Sequence, residues 1–165
     1  DADLRRSSIA KTFDLKPKIG LVECLTGEAE LKDALILDEP SGLSILPVVP
    51  GSAGANPPDL LGSDSMRALL EEAKKDFALV LIDSAPVLAV SDTRVLGKAG
   101  DTLLFITQWE ETPRGAAEEA IRTLRQFDVT VAGVAFSRID LRRHARYGYG
   151  DSYSYYGKSS RYYTN

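Results

Sequence analysis

Apolar residues along this chain fall into two alternating patterns. Short unbroken runs of strand length are Ser44-Ile-Leu-Pro-Val-Val49, Phe77-Ala-Leu-Val-Leu-Ile82, Leu103-Leu-Phe-Ile-Thr107 and Val129-Thr-Val-Ala-Gly-Val-Ala-Phe136. An unbroken run, unlike an in-out alternation, predicts a strand buried on both faces, as in a parallel sheet. Between these runs lie stretches of helical period. Over residues 64–75, following Gly62-Ser63, the residues Met66, Leu69, Leu70 and Ala73 share one face. Residues 113–127 open with Thr112-Pro113, a cap residue and then proline at the first helical position. Their stripe is Ala117, Ala120, Ile121 and Leu124. Strands alternating with helices of this length predict an α/β fold, a doubly wound and mainly parallel sheet.

The pattern stops near residue 141. All seven tyrosines follow it: Tyr147, Tyr149, Tyr153, Tyr155, Tyr156, Tyr162 and Tyr163. They are interleaved with Gly, Ser and charge, so the rings lack the apolar neighbours on which tyrosine normally packs. Accessible phenols of this kind read as substrate groups; the plainer reading is a low-complexity segment that self-associates by stacking. The expected organisation is one domain over 1–141 and a flexible, basic, tyrosine-rich tail over 142–165. Charge divides the same way. The chain carries −4, yet from Arg138 onward six Lys/Arg face only Asp140 and Asp151, leaving about −8 on the preceding body. A basic tail on an acidic body suits an anionic partner or an acidic surface of a neighbouring copy, and suits a solvated terminus equally well. No run approaches the roughly 18 apolar residues of a membrane span. The single cysteine, Cys24, excludes an intrachain disulfide framework and fits a reducing compartment. His144 stands among arginines with no second His or Cys to complete a zinc site.

The chemistry-bearing candidates are carboxylates. Asp83 ends its apolar run, and in doubly wound sheets ligands bind outside the carboxyl ends of the strands. Asp1 and Asp3 would occupy the same rim if an apolar strand preceded Asp1, which predicts that the chain is a fragment whose upstream strand is missing. Carboxylates converging there would hold a hard cation, and magnesium favours a few such oxygens together with water and phosphate. A phosphate donor would then complete a phosphoryl-transfer site. Against this stands the ordinary use of a strand-end carboxylate as a cap.

These residues also carry a resemblance. Asp1-Ala-Asp3-Leu-Arg5-Arg6 resembles the second half of a Walker A′ motif, and residues 77–86, ending Ile82-Asp83-Ser84-Ala85-Pro86, resemble a Walker B motif. With Gly20-Leu-Val-Glu-Cys-Leu-Thr-Gly27, Asn56-Pro57 and the tyrosine tail, the chain resembles the bacterial tyrosine kinases, members of the MinD/ParA-like P-loop superfamily. These serve capsule and exopolysaccharide production, as cytoplasmic domains of polysaccharide co-polymerases or as separate partner chains. The resemblance implies an ATP-dependent protein-tyrosine autokinase using ATP and Mg2+. It places Asp1 near the γ-phosphate as a candidate base, Asp3 and Asp83 at the magnesium, and Arg5 and Arg114 within reach of the nucleotide. Ser137 stands where the family commonly has an Asn near the adenine. Arg5 reads equally as a surface charge at a helix start, and for Arg114 the reading as an exposed first-turn arginine is favoured. The tail tyrosines become phosphoacceptors, modified in trans within a ring-like homo-oligomer. Further implied partners are a transmembrane co-polymerase segment or partner chain and a protein-tyrosine phosphatase, with no nucleic acid. The implied location is the cytoplasmic face of the bacterial inner membrane. The Gly-rich Walker A loop, which supplies the phosphate cradle and its lysine, does not occur in this sequence, so the stretch by itself is expected to bind nucleotide poorly and to be inactive. The family's Asp-Thr-Pro-Pro is Asp83-Ser-Ala-Pro86 here, with Ser84 preserving the hydroxyl. Asp92, after Ser91, reads either as a helix cap or as a group that senses the γ-phosphate through magnesium, the cap being favoured. Trp109 reads as a packing or rim residue. The competing function is a MinD/ParA-like ATPase switch that binds membrane or partner without phosphotransfer. The tail argues against it, because Gly148, Gly150 and Gly157 would break an amphipathic targeting helix.

Overall fold

A computed structural model describes residues 1–52 and 56–144. In chain order its elements are α1 (Ile9–Thr12), α2 (Leu21–Thr26), α3 (Leu31–Ala34), β1 (Ile36–Asp38), β2 (Leu43–Ile45), α4 (Pro57–Leu61), α5 (Asp64–Asp76), α6 (Asp92–Leu96), β3 (Leu103–Gln108), α7 (Arg114–Gln126), β4 (Val131–Ser137) and α8 (Leu141–His144). The fold is α/β. β3, α7 and β4 form a crossover unit whose two strands pair in parallel, from Leu103 opposite Val131 to Gln108 opposite Ser137. β1 and β2 form a short antiparallel hairpin.

α5 shows how the sequence pattern becomes structure. Ser63 caps it, its hydroxyl accepting from the Met66 N–H at 3.1 Å. Met66, Leu69, Leu70 and Ala73 are all buried, as their spacing predicts. Met66, Leu69 and Leu70 join Leu21, Val22 and Leu25 of α2, Val48, Leu61 and Leu96 in one core. Ala2 and Leu4 complete it from the N-terminal segment, 2% and 4% exposed. That period of two leaves Asp1, Asp3 and Arg5 off the core side.

The structure corrects the sequence reading in three places. Pro113 is the N-cap of α7, not its first helical residue, and the Thr112 hydroxyl accepts from the Gln108 N–H at 3.1 Å without capping the helix. Only the first residues of the 44–49 run are strand, and they pair antiparallel. Pro47 lacks an N–H, and the Leu46 and Pro47 carbonyls are taken by the nitrogens of Asp1 and Leu21. Residues 77–83 form no regular ladder; at one end the Phe77 N–H closes α5 on the Ala73 carbonyl at 3.0 Å, and at the other the Asp83 carbonyl accepts from the Ala2 N–H at 2.8 Å.

Burial on both faces also fails among the described residues. Val80 and Ile82 pack on the core, while Leu79 and Leu81 are exposed, Leu81 to 77%. β3 and β4 repeat this, with Leu104, Ile106, Val134 and Phe136 exposed. An unbroken apolar run requires cover on both sides, and the described helices and loops supply it on one. Among the described residues no helix is long and apolar enough to cross a membrane. Of the expected tail over 142–165, residues 142–144 continue α8, and residues 145–165, with all seven tyrosines, lie outside the described residues.

Candidate active site

The carboxylate-bearing segments meet through the backbone. The Asp1 nitrogen donates to the Leu46 carbonyl at 2.9 Å, and the next N–H, of Ala2, donates to the Asp83 carbonyl at 2.8 Å. Residues 1–4 therefore lie between the end of the 44–49 run and the end of the 77–83 run.

The three carboxylates are differently committed. Both oxygens of Asp1 are taken: Oδ2 accepts from the Ser7 hydroxyl at 2.7 Å and the Ile9 N–H at 3.3 Å, and Oδ1 from the Asp3 N–H at 3.3 Å. This ties the segment to the start of α1. Asp3 accepts through Oδ1 alone, from the N–H groups of Arg5 at 3.1 Å and Arg6 at 2.9 Å, a side-chain-mimicked turn of the kind aspartate favours. Asp83 is exposed, and its carboxylate accepts no hydrogen bond among the described residues. No group of three or more Asp, Glu, His or Cys residues converges into a metal cage among the described residues. Magnesium does not need one, because it binds through one or two carboxylates and fills its shell with water and phosphate. Among the described residues, the Asp83 carboxylate and the second oxygen of Asp3 accept no hydrogen bond, so they are the oxygens of this cluster left to offer a cation.

Arg5 points elsewhere. Its Nε donates to Asp92 Oδ2 at 2.8 Å and its Nη2 to Asp92 Oδ1 at 3.1 Å, a two-pronged fork. The hydrogen bond to Asp92 raises the Arg5 pKa above its ordinary value. Asp92 is fully buried at the first position of α6. It does not act as the cap the sequence favoured: Ser91 holds the N-cap position, without a side-chain cap bond, and the carboxylate serves Arg5. The next residue, Thr93, is also buried. Its hydroxyl donates to the Ala85 carbonyl and lies 3.3 Å from Ser84 Oγ. The sequence gives no spacing that joins Arg5 to Asp92, 87 positions apart.

The remaining candidates lie apart from this cluster in their contacts. Ser137 ends β4; its hydroxyl donates to the Thr107 carbonyl at 3.3 Å and its carbonyl accepts from the Trp109 N–H at 3.0 Å. Arg114 is exposed at the start of α7 and pairs with Glu118 at 2.8 Å, one turn on. Trp109 is half-buried at the rim, with the Arg143 guanidinium 5.9 Å from its ring and the His144 ring 6.2 Å away, edge-on. The seven phosphoacceptor candidates lie outside the described residues.

No protein-family profile matches the chain. Individual relatives do. It is 34% identical over 156 residues, 94% of its length, to a putative tyrosine-protein kinase EpsB of Ralstonia nicotianae. It is 36% identical over 139 residues, 84% of its length, to the tyrosine-protein kinase ptk of Acinetobacter johnsonii. The chain spans about a fifth of the length of these relatives, 20% and 19%. Among solved structures, the VpsO kinase domain superposes with a TM-score of 0.77 at 31% identity, covering 85% of this chain and 68% of that one. The kinase domain of the Escherichia coli tyrosine kinase Etk gives 0.76 at 31% identity, covering 85% of this chain and 56% of that one. A domain-length match at this identity, on the fold described above, carries the assignment: the chain belongs to the bacterial tyrosine kinases.

Proposed function

We propose that this chain forms the magnesium-binding and catalytic-carboxylate part of an ATP-dependent protein-tyrosine kinase that phosphorylates its own C-terminal tyrosine cluster in trans. The observation that carries the reading is the Ala2-to-Asp83 backbone bond, because it sets the Asp1/Asp3 segment beside a carboxylate that accepts no hydrogen bond among the described residues. Asp83 and Asp3 would hold Mg2+, which when bound neutralises charge on the transferring phosphoryl group. A tyrosine hydroxyl, with an ordinary pKa near 10, must lose its proton as its oxygen bonds to phosphorus and the bond to the leaving diphosphate breaks. With Asp3 given to the metal, Asp1 is the candidate for taking that proton; its bonds to Ser7, Ile9 and Asp3 also shape the loop, and Arg5 serves the site through Asp92. Ser137 and Arg114 remain proposed contacts for the base and the nucleotide edge, and the phosphate cradle would come from a Walker A loop outside this sequence. Tyr147, Tyr149, Tyr153, Tyr155, Tyr156, Tyr162 and Tyr163 are the proposed acceptors.

One relative is a succinoglycan biosynthesis transport protein, ExoP of Rhizobium meliloti, 29% identical over 89% of this chain. By that likeness the proposed setting is exopolysaccharide polymerisation and export at the cytoplasmic face of the inner membrane. The proposed partners are a transmembrane co-polymerase segment, further copies of the chain in a ring, and a protein-tyrosine phosphatase that resets the tail. The test is incubation of the full encoded chain with Mg-ATP, followed by phosphosite mapping beside an Asp83→Asn variant. Phosphate on the tail tyrosines, reduced by two to three orders of magnitude in the variant, is the expected result for loss of a transition-state charge contact. ATP hydrolysis with an unmodified tail would replace this reading with the ATPase switch.

A further inference from the structure

The first turn of α6 holds two buried polar residues side by side, and each reaches a different half of the carboxylate site. Asp92 grips Arg5, two residues beyond Asp3, through both prongs of a guanidinium fork. Thr93 grips Ala85 and meets Ser84, the residues that directly follow Asp83. Asp92 and Thr93 are 0% and 2% exposed, so neither bond is a surface accident. A fully buried carboxylate is costly unless paired, and its partner here is one charged side chain held in one geometry.

Other bonds make the two grips matter. Asp3 is shaped by accepting from the Arg5 and Arg6 N–H groups, so a displaced Arg5 backbone displaces the Asp3 carboxylate. Asp1 accepts from the Asp3 N–H and follows it. On the other side, the Ala2 N–H holds the Asp83 carbonyl, closing a loop of contacts that runs Asp83, Ala85, Thr93, Asp92, Arg5, Asp3 and Ala2. The helix carrying Asp92 and Thr93 is itself anchored by Leu96 in the core.

We propose that Asp92 is a positioning residue: together with Thr93 it makes the first turn of α6 a clamp that fixes the Asp1/Asp3 loop relative to Asp83. Asp92 touches no reacting atom in this account. Its consequence for phosphotransfer rests on the proposed kinase function, whereas its consequence for the loop does not.

Asp92→Asn is the discriminating variant. It removes the charge from the buried site at almost constant shape, and it leaves behind Arg5, whose side chain is 41% exposed and has access to water. Arg5→Lys is the conservative companion, keeping the charge and losing the fork. Both are made in the full encoded chain. Amide hydrogen exchange is read over residues 1–9, with α5 as internal reference, and tyrosine phosphorylation of a tail-sequence peptide is split into kcat and KM. The expected result for Asp92→Asn is exchange at least about 10-fold faster over 1–9 with α5 unchanged, and kcat lowered by roughly 10- to 100-fold with peptide KM within about 3-fold, the scale of a misplaced catalytic group. Arg5→Lys should fall between this variant and the parent. Unchanged exchange over 1–9 overturns the clamp. Faster exchange with unchanged kcat overturns the positioning role. Faster exchange in α5 as well assigns Asp92 to general stability and also overturns it. A parent chain that phosphorylates no tyrosine removes the kinase reading instead, and the exchange arm still decides the clamp.

Discussion

At the scale of single residues, position and commitment are different facts. Asp83 stands out in the sequence because it ends an apolar run, and Asp1 and Asp3 because Asp1-Ala-Asp3-Leu-Arg5-Arg6 resembles half of a Walker A′ motif. What each carboxylate has left to offer emerges only from its bonds: both oxygens of Asp1 are occupied, one of Asp3, and none of Asp83 among the described residues. Cys24 supplies a test of local environment that is independent of catalysis. Burial first, and then the neighbouring charges of Glu23, Glu72 and Asp33, raise its thiol pKa above the ordinary 9.0. A raised pKa means less thiolate at any given pH, so alkylation at pH 7.5 should run slower than for a free thiol. The rate should still be climbing at pH 9, where an unperturbed group would be half-ionised. An iodoacetamide rate profile that reaches half-maximum below pH 9 would contradict this environment. Gly20 illustrates the opposite case, a residue chosen for what it lacks. A Cβ there would stand 2.3 Å from the Pro47 carbonyl oxygen, so only glycine lets α2 start against that backbone.

Elements were legible in proportion to how local their cause is. α5 follows from a cap and a stripe that all lie within 14 residues, and its predicted start and buried face match those observed. β3 and β4 were legible as apolar runs of the right length, and their parallel pairing follows from the crossover helix between them. The 77–83 run was legible as extended chain but not as a segment without a ladder, since pairing depends on neighbours outside the window. Burial was the poorest inference, because an apolar run records what a strand can tolerate on each face and not what covers it. The contrast is measurable. Leu70→Ala, in the buried stripe of α5, should cost about 2–5 kcal/mol in urea denaturation. Leu81→Ser, on the open face, should change stability by no more than about 0.5 kcal/mol when the same described chain is studied. Equal losses at the two positions would mean that the open face is covered in solution.

For the whole molecule, the division of charge frames the proposed cycle. An acidic body of about −8 and a basic tail of +4 attract, within one chain or between copies. Each phosphotyrosine adds about −1.5 to −2, so modification of even three sites reverses the tail's sign. In the proposed ring, where phosphorylated tails would part the copies, replacing all seven tyrosines by Phe should leave the proposed ATP turnover of the full encoded chain intact and keep Mg-ATP from dissociating the assembly. Sedimentation velocity before and after Mg-ATP reads the outcome, and an oligomer that still dissociates would separate assembly from the tail. The amino-acid sequence by itself determined the α/β class, the capped stripe of α5, the strand–helix–strand succession of β3, α7 and β4 and the candidate carboxylate at Asp83, because periodicity, capping and the end of an apolar run are written over a few neighbouring residues. Only the tertiary structure decided that Ala2 pairs with Asp83, that Arg5 turns to a buried Asp92, and that the described residues cover one sheet face and leave the other open. Those outcomes depend on which distant segments close upon each other, and a partner 87 residues away leaves no periodic trace in the chain.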